Sequence, residues 1–198
     1  MKTDNRNLSA KVALRRHVLD ANGITSCRVL DLFAGEGHIW KAMAKHITLE
    51  TYMPVDRKPR MAGTVKATIT PRFLSALDLT RFNVIDVDTY GEPWEFYLQL
   101  LGQITTPSAV FLTCGTLRQG GFGSGGFSTV ARKAIGIPDD WETPYSYELK
   151  RWAGEYILRS AMLRFQAKTP VRYSLANVLY FGIYLQNRLG TVGLKGDI

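Results

Sequence analysis

Apolar positions along the chain follow two different periods. Leu8, Val12, Leu14, Val18 and Leu19 recur at helical spacing, so the pattern predicts an amphipathic helix over 8–21. Lys11, Arg15 and Arg16 are expected on its solvated side, and Asn22-Gly23 supplies the stop. Short β-rich runs then alternate with helical segments. Strands are predicted at 28–33, 48–55, 65–69, 83–87 and 109–114, with helices at 38–45, 71–79 and 92–104 between them. A long helix is predicted over 146–166, followed by two closing strands at 171–175 and 178–185.

Strands that alternate with helices imply a parallel sheet covered on both faces. A final hairpin adds one antiparallel strand, which mixed α/β sheets commonly carry. The expected fold class is therefore α/β, a doubly wound, mostly parallel seven-stranded sheet with a C-terminal antiparallel strand. Residues 1–198 read as one domain, without internal repeat or linker. Its subdivisions are an N-terminal helix in 1–23, a glycine-rich loop and substrate lid in 117–145, and a loose tail from 190.

Composition narrows the function classes. Hydrophobic residues make up 45% and charged residues 21% of the 198, a globular balance rather than a disordered one. The net charge of +8 favours an anionic partner, with nucleic acid the leading candidate. Cys27 and Cys114 lie in apolar runs without a CxxC pair, and His17, His38 and His46 lack metal-ligand spacing, so no metal is expected. The polar start and the shortness of the apolar run 178–185 predict neither signal peptide nor membrane span. A reducing cytoplasm is the expected location.

The sharpest local signal is the strand and glycine turn Asp31-Leu32-Phe33-Ala34-Gly35-Glu36-Gly37. Two glycines let a backbone turn sharply and approach a ligand closely. A dinucleotide fingerprint needs a third glycine at position 40, where Trp40 stands, so NAD and FAD are disfavoured. VLDLFAGEG resembles the first motif of the class I S-adenosylmethionine-dependent methyltransferases. That resemblance implies a Rossmann-like methyltransferase fold with S-adenosylmethionine as cofactor. It places Asp31 against the methionine amino group and Phe33, Ala34, Gly35 and Gly37 around the ligand. Asp56, nineteen positions after Gly37, fits the acid that accepts ribose hydroxyls, with Arg57 beside it. The acid that family often places near adenine has no counterpart at Ile69-Thr70.

Ligands in such sheets bind beyond the carboxyl ends of the strands. The fourth strand ends in Asp86-Val87-Asp88-Thr89-Tyr90-Gly91. This resembles the fourth motif of nucleobase amino-methyltransferases, nearest the tRNA guanine-N2 enzymes, with Thr89 standing where those have proline. An exocyclic amine is a poor nucleophile because its lone pair is delocalised into the ring. Asp88 and the Thr89 carbonyl are the candidate acceptors of its two N–H groups, and Tyr90 is the candidate stacking platform. Asp86, Gly91, Arg118 and Phe122 are candidate substrate contacts. The expected activity is methylation of such an amine, in RNA ahead of DNA.

Three alternatives stay open. Cys114, at the end of the fifth strand, resembles the nucleophile of RNA carbon-5 pyrimidine methyltransferases. A small-molecule or protein acceptor, or a catalytically dead nucleic-acid-binding module, is also compatible with the motifs. In the glycine-rich run 119–127, Phe122 and Phe127 suit base stacking, and Phe122 breaks any GxSxG pattern. Arg132, Lys133, Lys150, Arg151, Arg159 and Arg164 read as phosphate contacts or solvated charges. Trp141, Trp152 and Tyr156 read as packing.

Overall fold

A computed structural model describes residues 7–89, 91–115, 146–175 and 178–187; for 146–150, Trp152 and Leu175 it describes the backbone alone. The elements are α1 (Leu8–Ala21), β1 (Ser26–Leu32), α2 (His38–Met43), β2 (Thr48–Asp56), β3 (Val65–Lys66), α3 (Pro71–Ser75), a 3-10 turn (Leu79–Arg81), β4 (Val84–Val87), α4 (Trp94–Gln103), β5 (Ser108–Cys114), α5 (Ser146–Met162), β6 (Phe165–Leu175) and β7 (Val178–Asn187). They build one sheet in the order β3-β2-β1-β4-β5-β7-β6. Strands β1 to β5 are mutually parallel, and β7 runs antiparallel to both β5 and β6. This is the doubly wound, mostly parallel seven-stranded sheet that the alternation predicts. The chain reverses its direction of travel between β1 and β4, so the topological switch point lies at their carboxyl ends.

Period-two alternation sends each strand's side chains into two separate cores. Leu30, Leu32, Ile85, Val87, Val110, Leu112 and Cys114 pack on one face, with residues of α4 and α5. Cys27, Val29, Val84, Ala109 and Phe111 pack on the other, with Leu14, Val18 and Leu19 of α1 and Trp40 and Met43 of α2. The strands on this second face change character along their length. Past Val29 stands Asp31; past Val84 stand Asp86 and then Asp88; past Phe111 stands Thr113. Their carboxyl ends thus turn polar beneath α1.

Three sequence expectations need correcting. The helix predicted over 146–166 ends at Met162, and Phe165 begins an eleven-residue strand. Pro170 argues against a strand interior, yet β6 is an edge strand that shifts register between Lys168 and Val171, where proline is tolerated. The second concerns Lys11 and Arg15. Both are buried rather than solvated, while Arg16 is exposed as expected. The third strand is also shorter than predicted, because only Val65 and Lys66 find partners on β2.

Candidate active site

The turn after β1 is built from left-handed backbone. Phe33, Gly35 and Gly37 all have φ between 56° and 66°. At Gly37 a Cβ would stand 2.8 Å from the Met61 sulfur and 3.0 Å from the Tyr52 hydroxyl, so glycine is required there. Phe33 adopts this conformation against its intrinsic preference, a strain that functional turns tolerate. Its ring is held edge-on against Phe96, 5.2 Å away. The Asp56 carboxylate braces the same turn, accepting from the Gly35 N–H at 3.0 Å and the Lys58 N–H at 2.7 Å.

A pocket opens at the carboxyl ends of β1, β4 and β5. Asp31, Phe33, Ala34 and Gly37 line one side, and Asp88, Thr89, Thr113 and Gly115 another. Leu8 and Lys11 of α1, Glu36 and His38 beside the glycine turn, and Tyr180 of β7 also line it.

Two ion pairs fasten α1 over this end of the sheet. Arg15 donates from Nε and Nη2 to the two Asp86 oxygens at 2.7 and 2.6 Å. One helical turn earlier, Lys11 Nζ reaches both Asp88 oxygens at 2.8 and 2.6 Å. The match is geometric: four helix residues rise about 6 Å and two strand residues about 6.7 Å. Trp40 Nε1 adds a third donor to Asp86 at 2.8 Å. This explains what fills the position of the missing third glycine: the indole supports a buried carboxylate.

Charge under α1 does not balance among the described residues. Asp31 lies beside Asp86 in the β1–β4 register and is 3% exposed, so Asp31, Asp86 and Asp88 share the two cations Lys11 and Arg15. Burial, and next the charge of Asp86, push the Asp31 carboxyl well above its ordinary value, opposed by a 2.7 Å hydrogen bond donated by Tyr52. Arg15 is raised overall, because the charge and hydrogen bonds of Asp86 outweigh the lowering effect of burial. Among the described residues, Asp31 therefore lines the pocket without a cation of its own.

The residues singled out from sequence divide clearly. Asp31, Phe33, Ala34, Gly37, Asp88 and Thr89 come together at the pocket, with Gly35 in the turn beneath. Asp56 and the exposed Arg57 do not line it. Asp86 is corrected: fully buried, with Arg15 and Trp40 on its oxygens, it is a structural anchor and not a substrate contact. Thr89 replaces proline by a different device. Its hydroxyl is shared between the Thr113 carbonyl at 2.9 Å and the Gly91 carbonyl at 3.0 Å, tying the turn to β5. The Gly91 carbonyl also accepts from the Gly115 N–H at 2.8 Å. Cys114 is corrected as a nucleophile. It is fully buried in the core on the opposite face from Asp88, and burial pushes its thiol far up, away from the reactive thiolate. Tyr90, Arg118, Phe122, Trp141, Arg132, Lys133, the loop 117–145 and the tail from 190 lie outside the described residues.

Sequence reading missed Lys11, Thr113, Tyr52 and Tyr180. The signal for Lys11 and Arg15 was present: Leu8, Lys11, Arg15 and Val18 follow 3-4-3 spacing on one helical face. Among the described residues, no group of three His, Cys, Asp or Glu side chains can hold a metal, and no helix is long and apolar enough to cross a membrane.

No family model and no curated protein matches the chain. Solved structures do. Trm1 from Pyrococcus horikoshii, in complex with S-adenosyl-L-methionine, is similar at TM-score 0.54 and 12% identity over 94% of this chain and 56% of that one. A candidate hemolysin from Lactococcus lactis is similar at TM-score 0.58 and 15% identity, over 93% and 88%. The plantazolicin methyltransferase BamL, in complex with SAH and a triazolic desmethylPZN analog, is similar at TM-score 0.50 and 11% identity, over 93% and 85%. The chain spans little more than half the length of that Trm1. Taken with the strand order and the polar switch point, these likenesses establish that the chain has the Rossmann-like fold of the S-adenosylmethionine-dependent methyltransferases.

Proposed function

We propose that the protein is an S-adenosylmethionine-dependent methyltransferase acting on an exocyclic amine of a nucleobase, in RNA ahead of DNA. The observation that carries this reading is Asp88. It stands just past β4 on the pocket wall, with one oxygen open to a further donor, across from the uncompensated carboxylate Asp31.

The residues present fit the cofactor. A sulfonium with an α-ammonium is cationic, and Asp31 is a buried carboxyl group without a cation of its own among the described residues. The turn around Gly35 and Gly37 offers backbone close to the pocket, and Trp40 stands buried where a dinucleotide fingerprint would need its third glycine. Asp56 keeps lone pairs for ribose hydroxyls beyond those used by Gly35 and Lys58. When bound, S-adenosylmethionine supplies an electrophilic methyl group.

The chain's own residues have a positioning task. Asp88 accepts an N–H of the amine and, with the Thr89 carbonyl, draws its lone pair out of the ring plane. Holding reactants aligned is worth about 7–11 kcal/mol in favourable cases. Asp88 takes up the proton after transfer, when the amine has become acidic, so a strong base is not required. The net charge of +8 supports a polyanionic acceptor, whose affinity should fall steeply with salt. A duplex base would have to be flipped out, whereas a loop base is already accessible.

Incubation with methyl-labelled S-adenosylmethionine and unmodified RNA or DNA, followed by nucleoside mass spectrometry, tests the reading. Label on an amino nitrogen is the expected result. Label on pyrimidine C5, or bound cofactor with neither polymer labelled, overturns it.

A further inference from the structure

Asp88 and Lys11 share a pattern of used and unused hydrogen-bonding capacity. A carboxylate has about four lone-pair sites, two on each oxygen. On Asp88, Oδ1 accepts from Lys11 and from the Thr113 hydroxyl, which fills it. Among the described residues Oδ2 accepts from Lys11 alone, at 2.6 Å, so it keeps one site. Lys11 has three N–H donors and spends two on Asp88, so it keeps one. Its ammonium is steadied over the Tyr180 ring, 5.5 Å from the centroid, and Tyr180 is held in turn by Asn7 at 2.9 Å.

Both groups line the pocket and both are partly open, with side chains 11% and 17% exposed. The pocket therefore presents one free donor immediately beside one free acceptor. Its complement is a planar edge with an acceptor beside a donor: an unprotonated ring nitrogen next to an amino group. Cytosine carries this edge at N3 and N4, and adenine at N1 and N6. Guanine does not on its open edge, because N1 is protonated and would point a hydrogen at the Lys11 ammonium; its other ring neighbour, N3, lies on the sugar side.

We propose that Lys11 is a specificity-determining residue that, together with Asp88, selects a cytosine or adenine amidine edge and rejects the open edge of guanine. The inference rests on the amine-methylating reading above and deepens it. It departs from the guanine preference that the motif after β4 implies. Asp88 receives an amino N–H on Oδ2, while Lys11 donates to the adjacent ring nitrogen. This fixes the base in its plane and sets which of its edges meets the methyl donor. Lys11 also orients Asp88, so it acts through Asp88 as well as on the base.

The test uses the full chain, labelled S-adenosylmethionine and short single-stranded RNA oligonucleotides with one target base. That base is cytidine, adenosine, guanosine, 3-deazacytidine or 1-deazaadenosine. The deaza analogues keep the amine and replace the ring nitrogen by C–H, so they remove only the group that Lys11 would contact. Losing a hydrogen bond to a charged group should cost about tenfold or more in kcat/KM. The expected result is methylation of cytidine or adenosine, at least about tenfold weaker on its deaza analogue and weaker still on guanosine. In Lys11→Met the ratio between natural base and analogue should fall to about one, and Lys11→Arg should restore part of it.

The wild-type ratio stands whether or not Lys11→Met folds. Equal activity on the natural base and its analogue overturns the role of Lys11 and leaves the amine-methylating reading intact. Preference for guanosine does the same. Bound cofactor without methylation of any amine overturns both.

Discussion

Asp86 in β4 and Asp88 just past it are two residues apart, face the same side of the sheet and are each met by a cation from α1, yet their surroundings are opposite. Asp86 accepts three hydrogen bonds, two from Arg15 and one from Trp40, and its pair with Arg15 is 1% and 0% exposed. Asp88 meets a lysine and a threonine hydroxyl, keeps one acceptor site, and lies with Lys11 on the pocket wall. Depth separates a saturated, buried carboxylate from one that lies on the pocket wall. The choice of cation follows the same division. The planar guanidinium suits the saturated inner rung, and the ammonium leaves a donor over at the outer one.

That comparison can be broken most severely at the inner rung. Arg15→Met leaves Asp86 charged and buried without its partner, which should cost about 3–5 kcal/mol of stability by chemical denaturation. Adding Asp86→Leu should recover a large part of the loss, because it removes the stranded charge. If Arg15→Met is no less stable than the native chain, the inner pair is not an anchor.

At the outer rung the effect should fall on activity. Asp88→Ala should lower methyl transfer about 100-fold or more through lost alignment of the amine. Cofactor affinity, followed by calorimetry, should stay within about twofold. Retained activity would remove Asp88 from the reaction.

Asp31 gives a smaller, graded effect. Its carboxyl is raised well above 3.8 in the folded chain, by burial and then by Asp86. Between the ordinary value and the raised one, the folded state binds more protons than the unfolded state, so the unliganded chain should lose stability as pH rises through that window. A cationic cofactor favours the ionised form, so its affinity should increase over the same window with release of a proton. Calorimetry in buffers of different ionisation enthalpy measures that release, and binding independent of pH would contradict it.

The smallest effect is expected on the far face of the sheet. Cys114→Ala removes a thiol packed in the core, so it should cost about 1 kcal/mol of stability and leave activity within about twofold. Total loss of activity in a folded variant would return Cys114 to the chemistry.

Much of the fold was legible because it rests on local patterns. The 3.6-residue period marked α1, β-rich runs marked the strands, and alternation with helices implied the parallel sheet. The strand boundaries moved by a few residues where only pairing decides them, as at β3, which finds partners for two residues. Phe165 and Gln166 read as helix by pattern but form strand, because their partners on β7 lie about twenty residues onward. The cofactor turn was legible too, since glycine at 35 and 37 is a backbone requirement visible in the letters themselves.

By itself, the sequence determined that this chain is a doubly wound α/β protein with a glycine turn after β1 and acids at the ends of β1, β2 and β4. Periodicity and glycine placement are local properties, so they survive in one dimension. Only the tertiary structure decided which acid is free and which is spent. Lys11 stands 77 residues from Asp88, and Arg15 stands 71 from Asp86. Helical spacing showed that the two cations share a face, but not that this face would lie over β4. Pairing across that separation depends on where α1 packs, and burial then separates the rungs: charges out of water must be satisfied, whereas those at the rim can keep capacity for a ligand.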